Sequence, residues 1–460
     1  MRLNRLARKG AVVLSLALVG VGCSSNRSGE GPATEGGKST EKAATFGDME
    51  SPCGPGDAKG ATDQGVTDTS IAIGYGDDRG YTAAPGLSQE VGDAVKAMIK
   101  WCNDQGGING RKLVGTRYDA AVTNTVPVMK KACKKEFMLV GDGLANDFAG
   151  DPVRVACKLP HVPAFTVGPN ATMGRLKFEP MPYPVDLYNA AGLKAELELI
   201  PELKESISIM RSDAPATQVS EYRVQAALAQ LGVQAKDCGV VLHMAGDASY
   251  APLAQKLKGC GAKSFFTAYS PSPQVFGFLQ AVQEAGVKLP AIVESQWYGQ
   301  ASAEWNAQSH AAEGFVTSLS FQPLENADIV PPVKQYKEIV AADGGKVSLT
   351  GLSAASAFLL WATVAKKCGS DLTRQCMVDG LGKVHDWTAG GLQAPSDPGA
   401  NKPSECALLM KLEGGAWKQI HPAKRGEFDC DPSNVLPMDP KISGIKIDGK
   451  RQFVSFLKKP

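Results

Sequence analysis

The residues able to do chemistry are scattered along the chain. The five histidines stand at positions 161, 243, 310, 385 and 421, none at metal-ligand spacing from a cysteine or from another histidine. His385 is followed by Asp386, a pairing that suits a general base, but no serine or cysteine nucleophile stands beside it. No Gly-x-Ser-x-Gly elbow, Walker loop or His-Glu-x-x-His helix is present. Gly106-Gly107-Ile108-Asn109-Gly110 has the composition of a phosphate loop. It follows a helical stretch and precedes a strand, whereas a phosphate loop follows a strand and opens a helix. What remains are recognition groups. Asp78 and Tyr81 follow one β-rich run, Tyr269 follows another, and Gln296-Trp297 a third. Aromatic rings with polar tips at strand ends suit a small organic solute, giving flat apolar contact and orienting hydrogen bonds. The chemistry indicated is capture rather than catalysis, with no metal and no cofactor.

The elements that position these groups follow a βα rhythm. Residues 70–75 are β-rich, and residues 87–102 carry Val91, Ala94, Val95, Met98, Ile99 and Cys102 at helical spacing. Residues 103–110 hold three glycines and two asparagines, the types that tolerate the positive φ of a helix end and a tight turn. Residues 111–119 then read as a strand. One βαβ unit implies a parallel sheet. Further strands are expected at 137–141, 162–166, 206–210, 238–244, 264–268, 290–294 and 315–321. Helices are expected at 124–134, 151–158, 218–231, 250–257, 274–285, 333–341, 353–367 and 376–381. Residues 407–412 and 416–420 read as a hairpin. No mid-chain run is expected to span a bilayer. The two βα series, before and after residue 188, are placed in two lobes.

The totals agree with a soluble globular chain: 43% hydrophobic, 21% charged, formal net charge +2. That balance gives no reason to expect nucleic acid as a partner. The N-terminus is different. Arg2, Arg5, Arg8 and Lys9 precede an apolar, uncharged stretch at 10–22, which has the length of a signal h-region. Gly20-Val21-Gly22-Cys23 resembles a bacterial lipobox, with Gly20 where Leu is usual, so Cys23 is expected to carry lipid. Residues 23–52 read as a flexible tether. Without Cys23 ten cysteines remain, an even number in an oxidising compartment. Neighbour spacing suggests Cys53–Cys102, Cys133–Cys157, Cys238–Cys260, Cys368–Cys376 and Cys406–Cys430, although sequence alone cannot fix ten partners.

Residues 94–119, with Gly106-Gly107-Ile108-Asn109-Gly110-Arg111 between helix and strand, together with Val140-Gly141, Val162-Pro163-Ala164 and the apolar helix through Gly351 and Trp361, carry a family likeness. Over roughly residues 68–420 the chain resembles the type I periplasmic solute-binding proteins of ABC importers, in the leucine/isoleucine/valine-binding branch. The resemblance implies an α/β fold of two Rossmann-like lobes with parallel sheets, joined by three inter-lobe crossovers near 186–190, 318–324 and 386–392. The expected division is a signal peptide at 1–22, the tether at 23–52, lobe 1 at 53–187 and 322–388, lobe 2 at 188–321 and 389–431, and a tail at 432–460. Lobe 1 would hold the solute through residues 143–146 and 167–170, which include Asn146, Gly168 and Asn170. Lobe 2 would use Tyr269 and the position at Gln296, with Glu294 two residues before it. The partners implied are a small polar solute, such as an amino acid or amide-like compound, ABC permease subunits, and the cell membrane through the lipid alone. Two alternatives are an extracellular sensor on the same fold and, further off, a secreted hydrolase.

Overall fold

The computed structural model describes residues 44–173 and 176–439, with the side chains of 169–170 and 215–216 outside that description. Residues 1–22, Cys23 and the tail beyond 439 also lie outside the described residues. The packed chain begins before the expected tether boundary at residue 52. β1 (Thr45–Phe46) and β2 (Met49–Glu50) pair antiparallel. Phe46 is fully buried and meets Trp101 edge-on, with ring centroids 5.7 Å apart. The Gly47 N–H donates to Gln335 Oε1 at 3.1 Å. One buried aromatic anchors a stretch whose polar composition reads as linker.

The first sheet follows at once. β3 (Ser70–Asp77), α1 (Gln89–Asp104), β4 (Lys112–Asp119), α2 (Thr125–Lys135), β5 (Met138–Val140), α3 (Asp147–Ala156) and β6 (His161–Val162) build a parallel sheet of order β4-β3-β5-β6. The apolar face of α1 is buried as its spacing demands. The glycine turn adopts the left-handed backbone expected of it, with φ of 115° at Gly106, 83° at Gly107, 50° at Asn109 and 87° at Gly110. A Cβ on Gly107 would sit 2.0 Å from the Arg111 carbonyl oxygen. Arg111, 1% exposed, donates to the carbonyls of Thr67, Gly369 and Gly60. The motif therefore staples the base of the lobe, at the N-terminal end of β4.

After α4 (Pro169–Thr172) the chain passes to a second sheet. β7 (Leu187–Asn189), α5 (Ala191–Leu199), α6 (Glu202–Glu205), β8 (Ile207–Ser212), α7 (Pro215–Gln230), β9 (Val241–Leu242), α8 (Ala251–Cys260), β10 (Ser264–Thr267), α9 (Pro273–Glu284), β11 (Ala291–Val293), α10 (Gln300–Ser309) and β12 (Val316–Leu319) follow in order. α11 (Pro331–Ala342), α12 (Leu349–Cys368) and α13 (Arg374–Leu381) return to the first lobe, where α12 packs on α1. β13 (Cys406–Glu413), β14 (Ala416–His421), β15 (Asp429–Cys430) and β16 (Val435–Pro437) close the second. Its order is β14-β13-β12-β11-β10-β8-β9, parallel from β9 to β12 and antiparallel through the hairpin. β16 pairs with β7, so the first residues of the expected tail dock on lobe 2, with Met438 buried among Leu193, Leu228 and Leu409.

Residues 349–371 are long and apolar enough to cross a membrane, contrary to the expectation that no mid-chain run is, but 83% of that window is buried inside the protein. α12 is a core helix: Leu352, Phe358, Leu359, Leu360 and Trp361 are all inaccessible. Two strands are shorter than their apolar runs suggest. β6 stops at Val162, where Pro163 has no N–H to offer the ladder, and residues 163–166 and 238–240 are loop. α3 begins at Asp147 rather than 151. The five disulfides join Cys53–Cys102, Cys133–Cys157, Cys238–Cys260, Cys368–Cys376 and Cys406–Cys430.

The three passages between the sheets touch one another. The Gln322 N–H donates to the Leu392 carbonyl at 2.8 Å and the Ala394 N–H to the Ser320 carbonyl at 2.9 Å. Gln393, 2% exposed, donates to the Pro180 carbonyl at 2.8 Å and accepts the Ser356 hydroxyl at 2.6 Å. Pro180 also accepts Ser396 Oγ. A short antiparallel ribbon and one buried amide thus tie the crossovers together.

Candidate functional site

In an open α/β sheet a ligand crevice forms where successive connections leave to opposite faces. In the first sheet the strand order puts that switch between β3 and β5. In the second it lies between β8 and β10. The loops at these ends hold Asp77 to Tyr81 and Gly141 to Asn146 on one side, and Asp213 and Tyr269 on the other. The topology thus selects two loop sets, one from each lobe.

On the first lobe most of the charged groups are spent internally. Asp77 is inaccessible and meets Arg79 at 2.6 Å and Arg117 at 3.1 Å. Asp78, also inaccessible, accepts the Val122 N–H at 2.6 Å and the Ala145 N–H at 2.7 Å. Burial still raises its carboxyl above the usual range. Asp78 thus ties three strand-end loops together, a positioning role in place of the expected solute contact. Tyr81 is only partly buried, held by its N–H to the Asp78 carbonyl at 2.9 Å. Asn146 precedes α3. Its Nδ2 donates to the Val122 carbonyl at 3.1 Å, while its buried Oδ1 has no partner among the described residues. The Gly168 N–H donates to Asp147, so it too is occupied. The side chain of Asn170 lies outside the described residues.

On the second lobe Tyr269 is the central group. Its N–H donates to Thr267 Oγ1 at 3.1 Å. Its phenol is pushed up to about 12, first by burial, then by Asp213, Tyr250, Tyr81 and Asp247. Tyr81 belongs to the other lobe, so the two phenols are electrostatic neighbours across the crevice. Trp297 is not a contact surface: it is inaccessible, packs on Phe276 and Phe315, and donates Nε1 to the Tyr269 carbonyl at 2.8 Å. The 3₁₀ turn Ser295–Trp297 folds the indole into the core, where its apolar area is worth more than in a cleft. Gln296 is exposed and donates Nε2 to the Ala268 carbonyl at 2.8 Å. Both residues buttress the strand end that carries Tyr269.

The acid beside them is better placed. Glu294 accepts the Tyr183 hydroxyl at 3.5 Å, and the Arg223 guanidinium stacks 3.4 Å from the Tyr183 ring centroid. Burial raises the Glu294 carboxyl, with Arg223 opposing, and pushes Tyr183 up to about 12. Asp213, Asp147, Tyr250 and the Tyr183–Arg223 pair carry no sequence motif. The strand-end rule alone points to Asp213, which follows β8; Tyr183 and Arg223 meet only through the fold. Among the described residues no group of three His, Cys, Asp or Glu side chains could hold a metal. His385 is exposed and pairs with Asp397 at 2.8 Å, not with a nucleophile. An open cavity of about 580 Å³ between α2 and α3, lined by Lys130, Lys134, Pro152 and Val153, lies on the outer helix layer and has no catalytic groups.

The model of the periplasmic binding protein family matches residues 70–416. A search of curated proteins finds no match. Among solved structures, a fatty acid ABC transporter substrate-binding protein from Thermomonospora curvata is similar at a TM-score of 0.65 and 15% identity, covering 87% of this chain and 100% of its own. A leucine-binding protein from Thermotoga maritima follows at 0.63 and 14%, covering 79% and 99%. A solute-binding protein from R. palustris, solved with 4-hydroxybenzoate, gives 0.62 and 16%, covering 79% and 97%. At such identities the structures speak for the fold alone, but that fold is the two-lobed type I arrangement which the strand orders show independently. With the family model matching from the first strand of the first sheet to the closing hairpin of the second, this chain belongs to the periplasmic binding protein family.

Proposed function

We propose that this protein is the solute-binding component of an ABC importer, held outside the cytoplasm by lipid on Cys23. It captures a small polar solute, an amino acid or amide-like compound, between its lobes. Hinge closure follows from contacts made by both walls at once, and the closed form is handed to a permease. One observation carries the reading: the loops at the switch points of both sheets present phenols, Tyr81 and Tyr269, and the first lies near enough to the second to help raise it. Asn146, with a buried unpartnered acceptor, and Glu294, beside Tyr183 and Arg223, supply polar recognition. The solutes named for the solved relatives, a fatty acid and 4-hydroxybenzoate among them, each combine an apolar body with a polar head, which suits such a mixture.

A thermal-shift panel of amino acids, amides and organic acids tests this. A solute at a hundred times its Kd stabilises the native state by about 2.7 kcal/mol. Tyr269→Ala should remove that shift. A shift that survives unchanged places the solute elsewhere. Conversion of any solute by the protein argues for an enzyme instead. Lipid attachment is checked separately: Cys23→Ala should move the protein from the membrane fraction to the soluble one.

A further inference from the structure

The strand-end loops of lobe 1 are rich in main-chain N–H groups, and these are taken by the protein's own carboxylates. Asp119 Oδ1 accepts the N–H of Gly80 and of Ala121, both at 3.1 Å. Asp78 takes Val122 and Ala145. Asp147 takes Val167 through Oδ2 and Gly168 through Oδ1, both at 2.8 Å. Two successive N–H groups converging at a strand end form a seat for an anion. Here the seat at Val167-Gly168 is filled in the bidentate manner of a bound carboxylate. The fit is built in: a Cβ on Gly168 would lie 2.6 Å from Asp147 Oδ1 and 2.5 Å from Phe148 Cβ, so residue 168 must be glycine for Asp147 to enter. Arg79 and Arg117 neutralise Asp77, and Lys177 neutralises the neighbouring Glu179 at 2.9 Å. Asp147 has no ion pair among the described residues. Beside it stand the unpartnered Asn146 Oδ1 and Phe148, 43% exposed.

Resting on the cleft reading above, we propose that Asp147 determines specificity. Its carboxylate fills the amide seat on lobe 1 and keeps a solute's carboxylate off this wall, so the solute turns a neutral or cationic hydrogen-bond donor, with an apolar body, toward it. A second carboxylate brought to the seat would find no free N–H, and above about pH 7, where the buried Asp147 carboxyl is ionised, it would also meet a like charge. Rejection by repulsion is as effective a source of selectivity as attraction. Asn146 Oδ1 then accepts from the donor, and Phe148 covers part of the apolar body.

Matched probes test the assignment on the full chain: L-isoleucine against L-isoleucinamide, and 4-hydroxybenzoate against 4-hydroxybenzamide, by calorimetry. In the wild type the amide of a bound pair should bind at least about tenfold tighter than the acid, a difference of about 1.4 kcal/mol. Asp147→Ala should reverse that order. Asp147→Asn, which keeps the size and removes the charge, should narrow it, and it serves if the alanine variant does not fold. Independently of any solute, acetate should shift the Val167 and Gly168 amide resonances in Asp147→Ala and leave them unmoved in the wild type. An acid that binds the wild type as tightly as its amide, or acetate shifts of both resonances in the wild type, overturns the proposal. A probe whose binding ignores Tyr269→Ala sits outside the cleft and counts against the cleft reading. The acetate comparison then still decides what Asp147 does.

Discussion

Gln393→Leu is the most informative perturbation of the frame that holds the cleft. The substitution keeps the volume of a buried side chain and removes the acceptor of Ser356 and an amide group that donates to Pro180, Ser396 and Trp387. The Ser356 hydroxyl loses its acceptor at 2.6 Å, and the Pro180 carbonyl keeps Ser396 Oγ but loses the amide at 2.8 Å. A buried hydroxyl left without its acceptor costs about 1–2 kcal/mol, and a carbonyl reduced from two donors to one costs about 0.5 kcal/mol, for a sum of about 2 kcal/mol. A chain with roughly 400 folded residues unfolds with about 0.8 kcal/mol/K of entropy, so Tm should fall by about 2–3 °C. Urea denaturation should give the same loss. Hydrogen exchange should place the lost protection at residues 320–322 and 392–394, where the crossovers pair. A loss below about 0.5 kcal/mol, or protection lost mainly within one lobe, would refute the idea that this amide joins the passages.

Gly107→Ala forces a Cβ to 2.0 Å from the Arg111 carbonyl at φ of 83°, and chemical denaturation should show a loss of at least about 2 kcal/mol with solute affinity kept, because the turn lies away from the cleft. Opening Cys53–Cys102, with a separation of 49 residues, should cost more than opening Cys368–Cys376, with a separation of 8: about 4 kcal/mol against about 2.5 kcal/mol by loop entropy, as read from urea midpoints of the paired Cys→Ala variants. Asp147 and Glu221 are both raised to about 7 by burial. A carboxyl raised in the folded state favours folding below its unfolded value and loses that contribution as pH rises through its folded value, so stability should fall between about pH 4 and pH 7; Asp147→Asn with Glu221→Gln should flatten that fall in a Tm series. Trp297→Ala should cost about 3–5 kcal/mol of stability, as expected for a core residue, whereas Tyr269→Ala should act chiefly on solute binding.

Much of the fold was legible because local physics fixes it. The α1 stripe from Val91 to Cys102 and the left-handed turn through Gly107 and Asn109 depend on periodicity and on glycine's freedom at positive φ, which survive in any tertiary setting. The disulfides follow neighbour spacing, each cysteine bonding the next along the chain, with Cys368–Cys376 and Cys406–Cys430 closing short excursions of 8 and 24 residues. The side-chain assignments fared differently. Trp297 and Asp78 follow strands as a site residue should, yet both are inaccessible, because sequence marks where a loop begins and not which way it turns. Phe46 is one aromatic in a polar stretch, and only its seat against Trp101 makes residues 44–50 part of the folded body. Nothing local tells Asp147 that Val167 and Gly168 will lie 2.8 Å away, or sets Tyr81 against Tyr269. By itself the sequence determined the βα rhythm, the glycine turn and the family likeness, which are short-range or collective properties of the chain. The tertiary structure decided which strand ends meet, and hence which carboxylates are spent within the protein and which groups still face a solute.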